Sequence, residues 1–173
     1  HCSHDEIVGL MQYQMAALDG MAQSQGLQMT YVKPHGALYN DMMKDADIRS
    51  AVMEAVGTYD ANQTLMLQAH PDQVLHQREA KRVGVTLCFE AFADRRYNDE
   101  GFLVSRRTAS AVLNHDEMLA QVSTLLTDSV IVSESGRRMN LHVDTLCVHG
   151  DTVGAVQMVR DIRQLLEQHD KRQ

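Results

Sequence analysis

The chain has 173 residues, a length typical of one domain with its own hydrophobic core. Hydrophobic residues make up 44% of it and charged residues 23%, which are values of a folded globular chain rather than a disordered one. The formal net charge is -7, and the basic residues form no dense cluster. This excludes nucleic acids and membrane surfaces as expected partners, because phosphate contacts need grouped lysines and arginines.

The hydrophobic pattern alternates between helical and strand periodicity along the chain. Helices are predicted where apolar residues recur every three to four positions: 4–25, 37–59 with a break near Asp45, 72–84, 115–126 and 154–169. Short apolar runs predict buried strands: 29–32, 64–67, 86–89 and 145–148. Between residues 129 and 141, Ser135-Gly136 separates two strand-like runs and predicts a hairpin. Strands separated by helices predict a parallel sheet or barrel, and residues 1–173 are expected to form a single domain.

Reactive side chains follow the predicted strands along the chain. They are Lys33 and His35, then His70, then Glu90, Asp94 and Arg95, and finally His149 and Asp151. In parallel α/β folds the carboxyl ends of the strands lie at one edge, and ligands bind in the loops that follow them. The sequence therefore predicts that these groups converge on one rim.

The segment Lys33-Pro34-His35-Gly36 has two interpretations. Pro34 biases the preceding residue towards an extended backbone, and Gly36 permits a sharp turn or a close approach to a ligand. His35 is then a general base, a metal ligand or an oxyanion donor. Alternatively, His35 is a loop residue that caps the next helix. The tetrapeptide alone does not distinguish a functional His35 from a helix-capping one.

Similar alternatives apply to the later segments. His149 is a candidate acid–base group or ligand, whereas Asp151 or Thr152 is alternatively explained as a cap of the last helix. Glu90 follows an apolar strand directly, where burial would raise its pKa. Asp94 and Arg95 are expected to form an internal ion pair unless they belong to the site.

The cysteine spacing and the absence of several motifs bear on disulfides, cellular location and ATP binding. Cys2, Cys88 and Cys147 show no regular spacing, which argues against a disulfide framework and favours a reducing compartment. Neither a secretion signal nor an apolar run of about 20 residues is seen, so the expected location is the cytoplasm. The chain has no GxxxxGK[ST] phosphate loop, so ATP would not be bound by a P-loop.

Three segments together resemble the LamB/YcsF family. They are YVKPHGALYN at 31–40, FADRRY at 92–97 and CVHGDT at 147–152. The first is the most specific, and the Tyr13-Gln14 step in the first predicted helix extends the likeness over nearly the whole chain. Two departures are Ser105, where the family favours Pro, and Ser110, where it favours Gly.

The resemblance implies a (β/α) barrel related to metal-dependent polysaccharide deacetylases. Family members carry further segments before the first helix, so the barrel is expected to lack its N-terminal βα units. The resemblance also implies the A component of an ATP-dependent 5-oxoprolinase, which opens the lactam of 5-oxoproline to glutamate with two partner subunits. A divalent metal and a homo-oligomer are left open.

The resemblance also implies roles for the candidate residues. His35, Asp151 and Glu90 are expected to be catalytic, with His35 and Asp151 as acid–base or water-positioning groups. Lys33, Asp94, Arg95 and His149 are expected to bind substrate, with Lys33 and Arg95 as carboxylate or phosphate clamps. Two other functions remain open: a stand-alone metal-dependent amidase or carbohydrate deacetylase, and a non-catalytic fragment that binds a ligand or assembles with partners.

Overall fold

A computed structural model describes residues 2–60, 62–152 and 154–171. Over these residues the chain forms six helices and six strands. The helices are α1 (His4–Ser24), α2 (Ala37–Lys44), α3 (Ala46–Tyr59), α4 (Gln73–Arg82), α5 (His115–Asp128) and α6 (Ala155–Asp170). The strands are β1 (Tyr31–Val32), β2 (Thr64–Gln68), β3 (Thr86–Phe92), β4 (Val130–Val132), β5 (Arg138–Asn140) and β6 (Thr145–Cys147).

Four of the strands form a sheet in the order β1-β2-β3-β6. β1 pairs in parallel with β2, and the second half of β3 pairs in parallel with β6, placing Glu90 opposite Thr145. The predicted α/β fold with a parallel sheet is therefore confirmed. Closure of this sheet into a barrel stays a prediction.

The chain divides into two compact units. The first comprises residues 1–68 and 74–89, and the second comprises residues 69–73 and 90–173. In the first unit, α1 packs along α3 through the buried side chains of Ile7, Met11 and Met15. In the second unit, α5 and α6 enclose a core. Its buried members are Ala93, Leu113, Met118, Val122, Met158 and Ile162.

Local signals explain several element boundaries. Ser3 and Glu6 form a capping box at the start of α1, and Asn114 and Glu117 form one at the start of α5. The break predicted near Asp45 is confirmed, because this residue ends α2 and caps α3 through bonds from the backbone N–H groups of Asp47 and Ile48. Each cap satisfies backbone donors that a helix start leaves unpaired.

All four predicted strands of the sheet differ in length from the structure, β2 and β6 by one residue each and β1 and β3 by more. β1 begins at Tyr31 rather than at residue 29, since the carbonyl of Met29 accepts a hydrogen bond from the Gln63 side chain at 2.9 Å. β3 continues to Phe92 rather than ending at residue 89, because its last three residues pair with β6.

The hairpin predicted between residues 129 and 141 is confirmed as the antiparallel pair of β4 and β5. It is reached from α5 through Ser129, whose backbone is left-handed at φ 56°. No helix in the described ranges is both long and apolar enough to cross a membrane.

Candidate functional site

The second unit places Asp94 and His149 in direct contact. Asp94 lies just beyond β3 and His149 just beyond β6, and the parallel pairing of these strands brings the two loops together. The ring Nδ1 of His149 lies 3.0 Å from Oδ1 of Asp94, and its backbone N–H donates to Oδ2 at 3.0 Å. The hydroxyl of Thr152 donates to the same Oδ2 at 3.0 Å. One carboxylate therefore accepts hydrogen bonds from three groups.

Asp94 is an anion held in a buried position. Its side chain is fully buried. Burial raises the pKa of the carboxyl, but the hydrogen bonds from His149 and Thr152 outweigh this, and the net pKa lies below its ordinary value. The anion in turn fixes the histidine tautomer, because an Nδ1–H that donates to a carboxylate leaves Nε2 as the basic nitrogen.

The other ring nitrogen of His149 is available for chemistry. The His149 side chain is 25% exposed, and its ring stacks on Phe92 with 5.4 Å between centroids. Among the residues that the structure describes, none forms a hydrogen bond with Nε2. A histidine oriented by a buried carboxylate, with its second nitrogen exposed, is an arrangement suited to general acid–base catalysis.

Asp151 lies two residues after His149 and pairs with Arg106 rather than with the last helix. Its Oδ2 accepts from Nη1 of Arg106 at 2.8 Å. This hydrogen bond lowers the pKa of Asp151 and raises that of Arg106. The N-cap of α6 is Gly154, and no side chain caps it. The interpretation of Asp151 or Thr152 as helix caps was therefore wrong, since both side chains are engaged elsewhere.

The internal ion pair expected between Asp94 and Arg95 is wrong: in the part of the chain that the structure describes, Asp94 pairs with His149, and Arg95 contacts backbone carbonyls. Its guanidinium donates to the carbonyls of Ala111 at 3.3 Å and Val104 at 2.6 Å, and the residue is 6% exposed. Burial lowers its pKa, and the positive charge of Arg106 lowers it further. These contacts favour a structural role, in which Arg95 fixes the loop that follows β3.

Glu90 is buried within β3, where only 4% of it is exposed. The phenol oxygen of Tyr97 accepts the backbone N–H of Phe92 at 2.9 Å. Burial raises the pKa of Tyr97, and the negative charge of Glu90 raises it further. Glu90 is thus part of a buried polar region of the second unit.

The first unit contains the remaining candidates, Lys33 and His35. They lie in the loop between β1 and α2 and are both exposed. The Lys33 ammonium lies 5.6 Å from the centroid of the Tyr39 ring, a cation–π distance. The N-cap of α2 is Gly36, at φ 64°, and no side chain caps the helix. The alternative interpretation of His35 as a helix cap is therefore wrong.

His70 lies in the second unit and stabilises the turn that precedes α4. The residue is 4% exposed, and its Nδ1 accepts the backbone N–H of Asp72 at 3.1 Å. Its ring also packs against Phe102, with 4.7 Å between centroids. These contacts explain His70 as part of the local fold.

Sequence reasoning missed Gln121 and Arg106. The side-chain amide of Gln121 donates to the carbonyls of Phe92, Ala93 and Arg95 at 2.9, 3.2 and 3.0 Å, which holds the backbone around Asp94. A signal was present, since Gln121 lies on the apolar face of α5 between Met118 and Leu125. For Arg106 the sequence contained no comparable signal, because the residue lies in a charged loop segment without a periodic pattern.

The described residues provide no cluster of three His, Cys, Asp or Glu side chains that could hold a metal ion. The donor set around Asp94 consists of one carboxylate and one imidazole, with a hydroxyl that donates to the carboxylate. The residues that the structure describes therefore do not fit a resident divalent metal.

Comparisons with known proteins find relatives over almost the whole chain. The chain is 46% identical over 168 residues to the second A component of 5-oxoprolinase from Pseudomonas putida, covering 96% of this chain and 65% of the relative. It is 47% identical over 169 residues to the A component of 5-oxoprolinase from Pseudomonas fluorescens, covering 96% and 67%. The chain thus spans about two thirds of the length of these relatives.

The fold has a solved counterpart. The crystal structure of a lactam utilization protein from Thermus thermophilus superposes with a TM-score of 0.82 and 28% identity, covering 96% of this chain and 66% of that one. The sequence model of the LamB/YcsF family matches residues 1–173. From the whole-chain match and the identity to these relatives, the chain belongs to the LamB/YcsF family.

Proposed function

We propose that this chain provides the acid–base centre of a 5-oxoprolinase, the enzyme that hydrolyses the lactam of 5-oxoproline to glutamate. The observation that carries the proposal is the buried Asp94 carboxylate 3.0 Å from Nδ1 of His149. Hydrolysis of an unreactive amide needs a base to take a proton from water and an acid to protonate the leaving nitrogen. Nε2 of His149 supplies both functions in turn.

Opening of the lactam ring at this centre consumes one water molecule. The phosphoryl group transferred from ATP leaves separately as phosphate, with the oxygen of a second water molecule. As the water oxygen forms a bond to the lactam carbonyl carbon, Nε2 of His149 takes the proton that the water loses. The ring C–N bond then breaks, and the same proton passes to the departing nitrogen, which becomes the amino group of glutamate. Asp94 stays ionised throughout and stabilises the charged imidazolium.

The names of the relatives support an enzyme of several subunits, since each relative is named as one component of 5-oxoprolinase. We propose that two other 5-oxoprolinase subunits assemble with this chain. ATP, acting with those subunits, would supply the phosphoryl group that activates the lactam. The chain has no P-loop of its own, so we place no step of the nucleotide chemistry on its residues.

The proposal also includes a barrel fold and roles for Lys33 and His35 of the first unit. The parallel sheet and the alternation of strands and helices support a (β/α) barrel of the deacetylase type. Lys33 remains the proposed clamp for a carboxylate or phosphate, and His35 the proposed acid–base or water-positioning group. Support for both comes from their exposure in the loop that follows β1.

The test measures glutamate released from 5-oxoproline and ATP by this chain together with the two partner subunits. The full-length Pseudomonas putida relative serves as the positive control. Replacing His149 by asparagine should reduce turnover by about 100-fold or more, the usual contribution of an acid–base group. His35→Ala, measured in the same assay, should also abolish turnover, with little change in thermal stability because the residue is exposed.

The matched control is His169→Asn in the last turn of α6, which should leave turnover unchanged. Full activity of the His149 variant would overturn the proposed acid–base centre. An inactive chain beside an active full-length relative would show that the proposed function does not extend to this chain.

A further inference from the structure

Four arginines flank the Asp94–His149 pair in sequence, in the segments 95–96 and 106–107. Arg95 is buried against two backbone carbonyls. Arg96 donates to the carbonyl of Ser110 and to the carboxylate of Glu117. Of these four arginines, Arg106 and Arg107 are the two that are exposed.

Arg106 lies within electrostatic reach of the histidine site. Nη1 donates to Oδ2 of Asp151 at 2.8 Å, and this hydrogen bond raises the pKa of the guanidinium. The negative charge of Asp94 raises the pKa of the guanidinium as well. Asp151, the partner of Arg106, follows His149 by two residues in the loop after β6.

The ion pair between Arg106 and Asp151 is exposed to solvent. The side chains of Arg106 and Asp151 are 44% and 68% exposed. Exposed ion pairs contribute little to stability, because water screens both charges. An anionic group of a ligand can therefore replace Asp151 on the guanidinium with little loss of free energy.

We propose that Arg106 binds the anionic group of the ligand at the His149 site, and that Asp151 holds the guanidinium there while the ligand is absent. This rests on the proposed function, in which the ligand is 5-oxoproline, a lactam ring with one carboxylate. The planar guanidinium presents two parallel N–H donors that match the two carboxylate oxygens. Arg106 is then the specificity residue that selects acidic lactams over neutral ones.

The test compares two probes, 5-oxoproline and 2-pyrrolidinone, which is the same lactam ring without the carboxylate. Binding of each to the purified chain is measured by calorimetry. Wild-type protein should bind 5-oxoproline about tenfold more tightly or better, as expected for a hydrogen bond between charged groups. Arg106→Gln should remove this preference by weakening 5-oxoproline binding and leaving 2-pyrrolidinone binding unchanged.

Arg107→Gln is the matched control, because it removes the same charge one residue away. It should keep the wild-type preference. Asp151→Asn should also keep the preference, since it removes only the competing carboxylate. If Arg106→Gln does not fold, Arg106→Lys decides the question: a reduced preference supports the proposal, because lysine lacks the paired donors, and an unchanged preference overturns it.

The outcomes separate this proposal from the one on which it rests. A preference that survives in folded Arg106→Gln would overturn the role of Arg106 and leave the acid–base centre untouched. A wild-type chain that binds neither probe, or binds both equally, would overturn 5-oxoproline as the ligand and the role of Arg106 with it.

Discussion

At the scale of single residues, the Asp94 carboxylate is held as an anion by its partners. Three donors from His149 and Thr152 occupy its oxygens, and no part of its side chain reaches solvent. A buried charge is stable only when paired and hydrogen-bonded, and removal of a partner is costly. The same contacts orient the imidazole, so folding stability and catalytic geometry depend on the same atoms.

Replacing Asp94 by asparagine should therefore lower both stability and turnover. We expect a loss of about 3 kcal/mol in the free energy of unfolding, the size found when one partner of a buried pair is removed. Urea denaturation followed by circular dichroism measures this loss. The conservative control is Thr152→Val, which removes one of the three donors and should cost less, about 1 kcal/mol.

The pH dependence of stability gives a second readout for Asp94. Because its pKa is lowered in the folded state, the stabilisation is present above the ordinary aspartate value of 3.8 and is lost as pH falls through the lower folded-state pKa. The asparagine variant should lack this acid-induced loss. A variant whose stability falls in acid as steeply as that of the wild type would contradict the assignment.

The sequence identified Asp94 and His149 separately, but it did not predict that they pair. Their positions after two strands were readable, and parallel pairing of those strands made proximity a reasonable expectation. The sequence did not indicate which side chain Asp94 would contact. The backbone turns at Ala93 and Asp94, so Arg95 faces other carbonyls, and its contacts with Ala111 and Val104 span 16 and 9 residues along the chain.

At the scale of elements, the junction between α5 and β4 contains a strained residue. Ser129 caps the end of α5 in the left-handed region at φ 56°. The hairpin depends on this geometry, since the carbonyl of Ser129 accepts the backbone N–H of Leu141 at 2.9 Å. For side chains with a Cβ atom this conformation costs about 1 kcal/mol.

Ser129→Gly should therefore stabilise the protein, by about 0.5–1 kcal/mol, because glycine adopts the left-handed region freely. The midpoint of thermal unfolding measures the change. Ser123→Gly, at an exposed position inside the same helix, is the control of opposite sign and should destabilise by roughly the same amount. If both variants lost stability, the strain at Ser129 would not be real.

Helix packing in the first unit depends on a glycine. A Cβ atom at Gly57 of α3 would lie 2.5 Å from the carbonyl oxygen of Val83, which belongs to the segment after α4. The backbone just after α4 therefore lies directly against α3 at this position. Nothing in the residue pattern indicated it, because glycine inside a helix usually only lowers helix propensity.

Gly57→Ala should destabilise the protein by about 1–3 kcal/mol, as expected for forced overpacking against backbone. Gly9→Ala in α1 is the matched control. Nothing lies within 4 Å of its added methyl group, so the gain in helix propensity should stabilise by about 0.5–1 kcal/mol. Chemical denaturation of the two variants side by side compares them directly, and equal changes would argue against the close approach.

At the scale of the whole molecule, the fold class was readable from the sequence, whereas the division into compact units was not. Periodicity predicted every helix and the parallel strands, because local patterns determine them. The units combine distant segments, since residues 69–73 belong with residues 90–173. Such grouping depends on long-range packing, which periodicity does not encode. The relation between the His35 loop and the His149 site stays a prediction of the sequence.

The family relationship also concerns the whole molecule. The match extends over residues 1–173, yet the curated relatives are about half as long again, since this chain spans 65% of the first of them. The names of these longer proteins refer to 5-oxoprolinase. For this reason the experiment on glutamate release uses a full-length relative beside this chain.

The charge of the Asp94–His149 pair has a consequence for binding equilibria. With Asp94 ionised and the imidazole neutral, the pair has a net charge of minus one, and a proton on Nε2 brings it to zero. An anion near the pair is repelled in the first state but not in the second. Proton uptake and anion binding at this position are therefore thermodynamically linked, and each must strengthen the other by the same factor. A proton taken up in this way must leave before catalysis, because Nε2 has to be unprotonated to accept the proton from the attacking water.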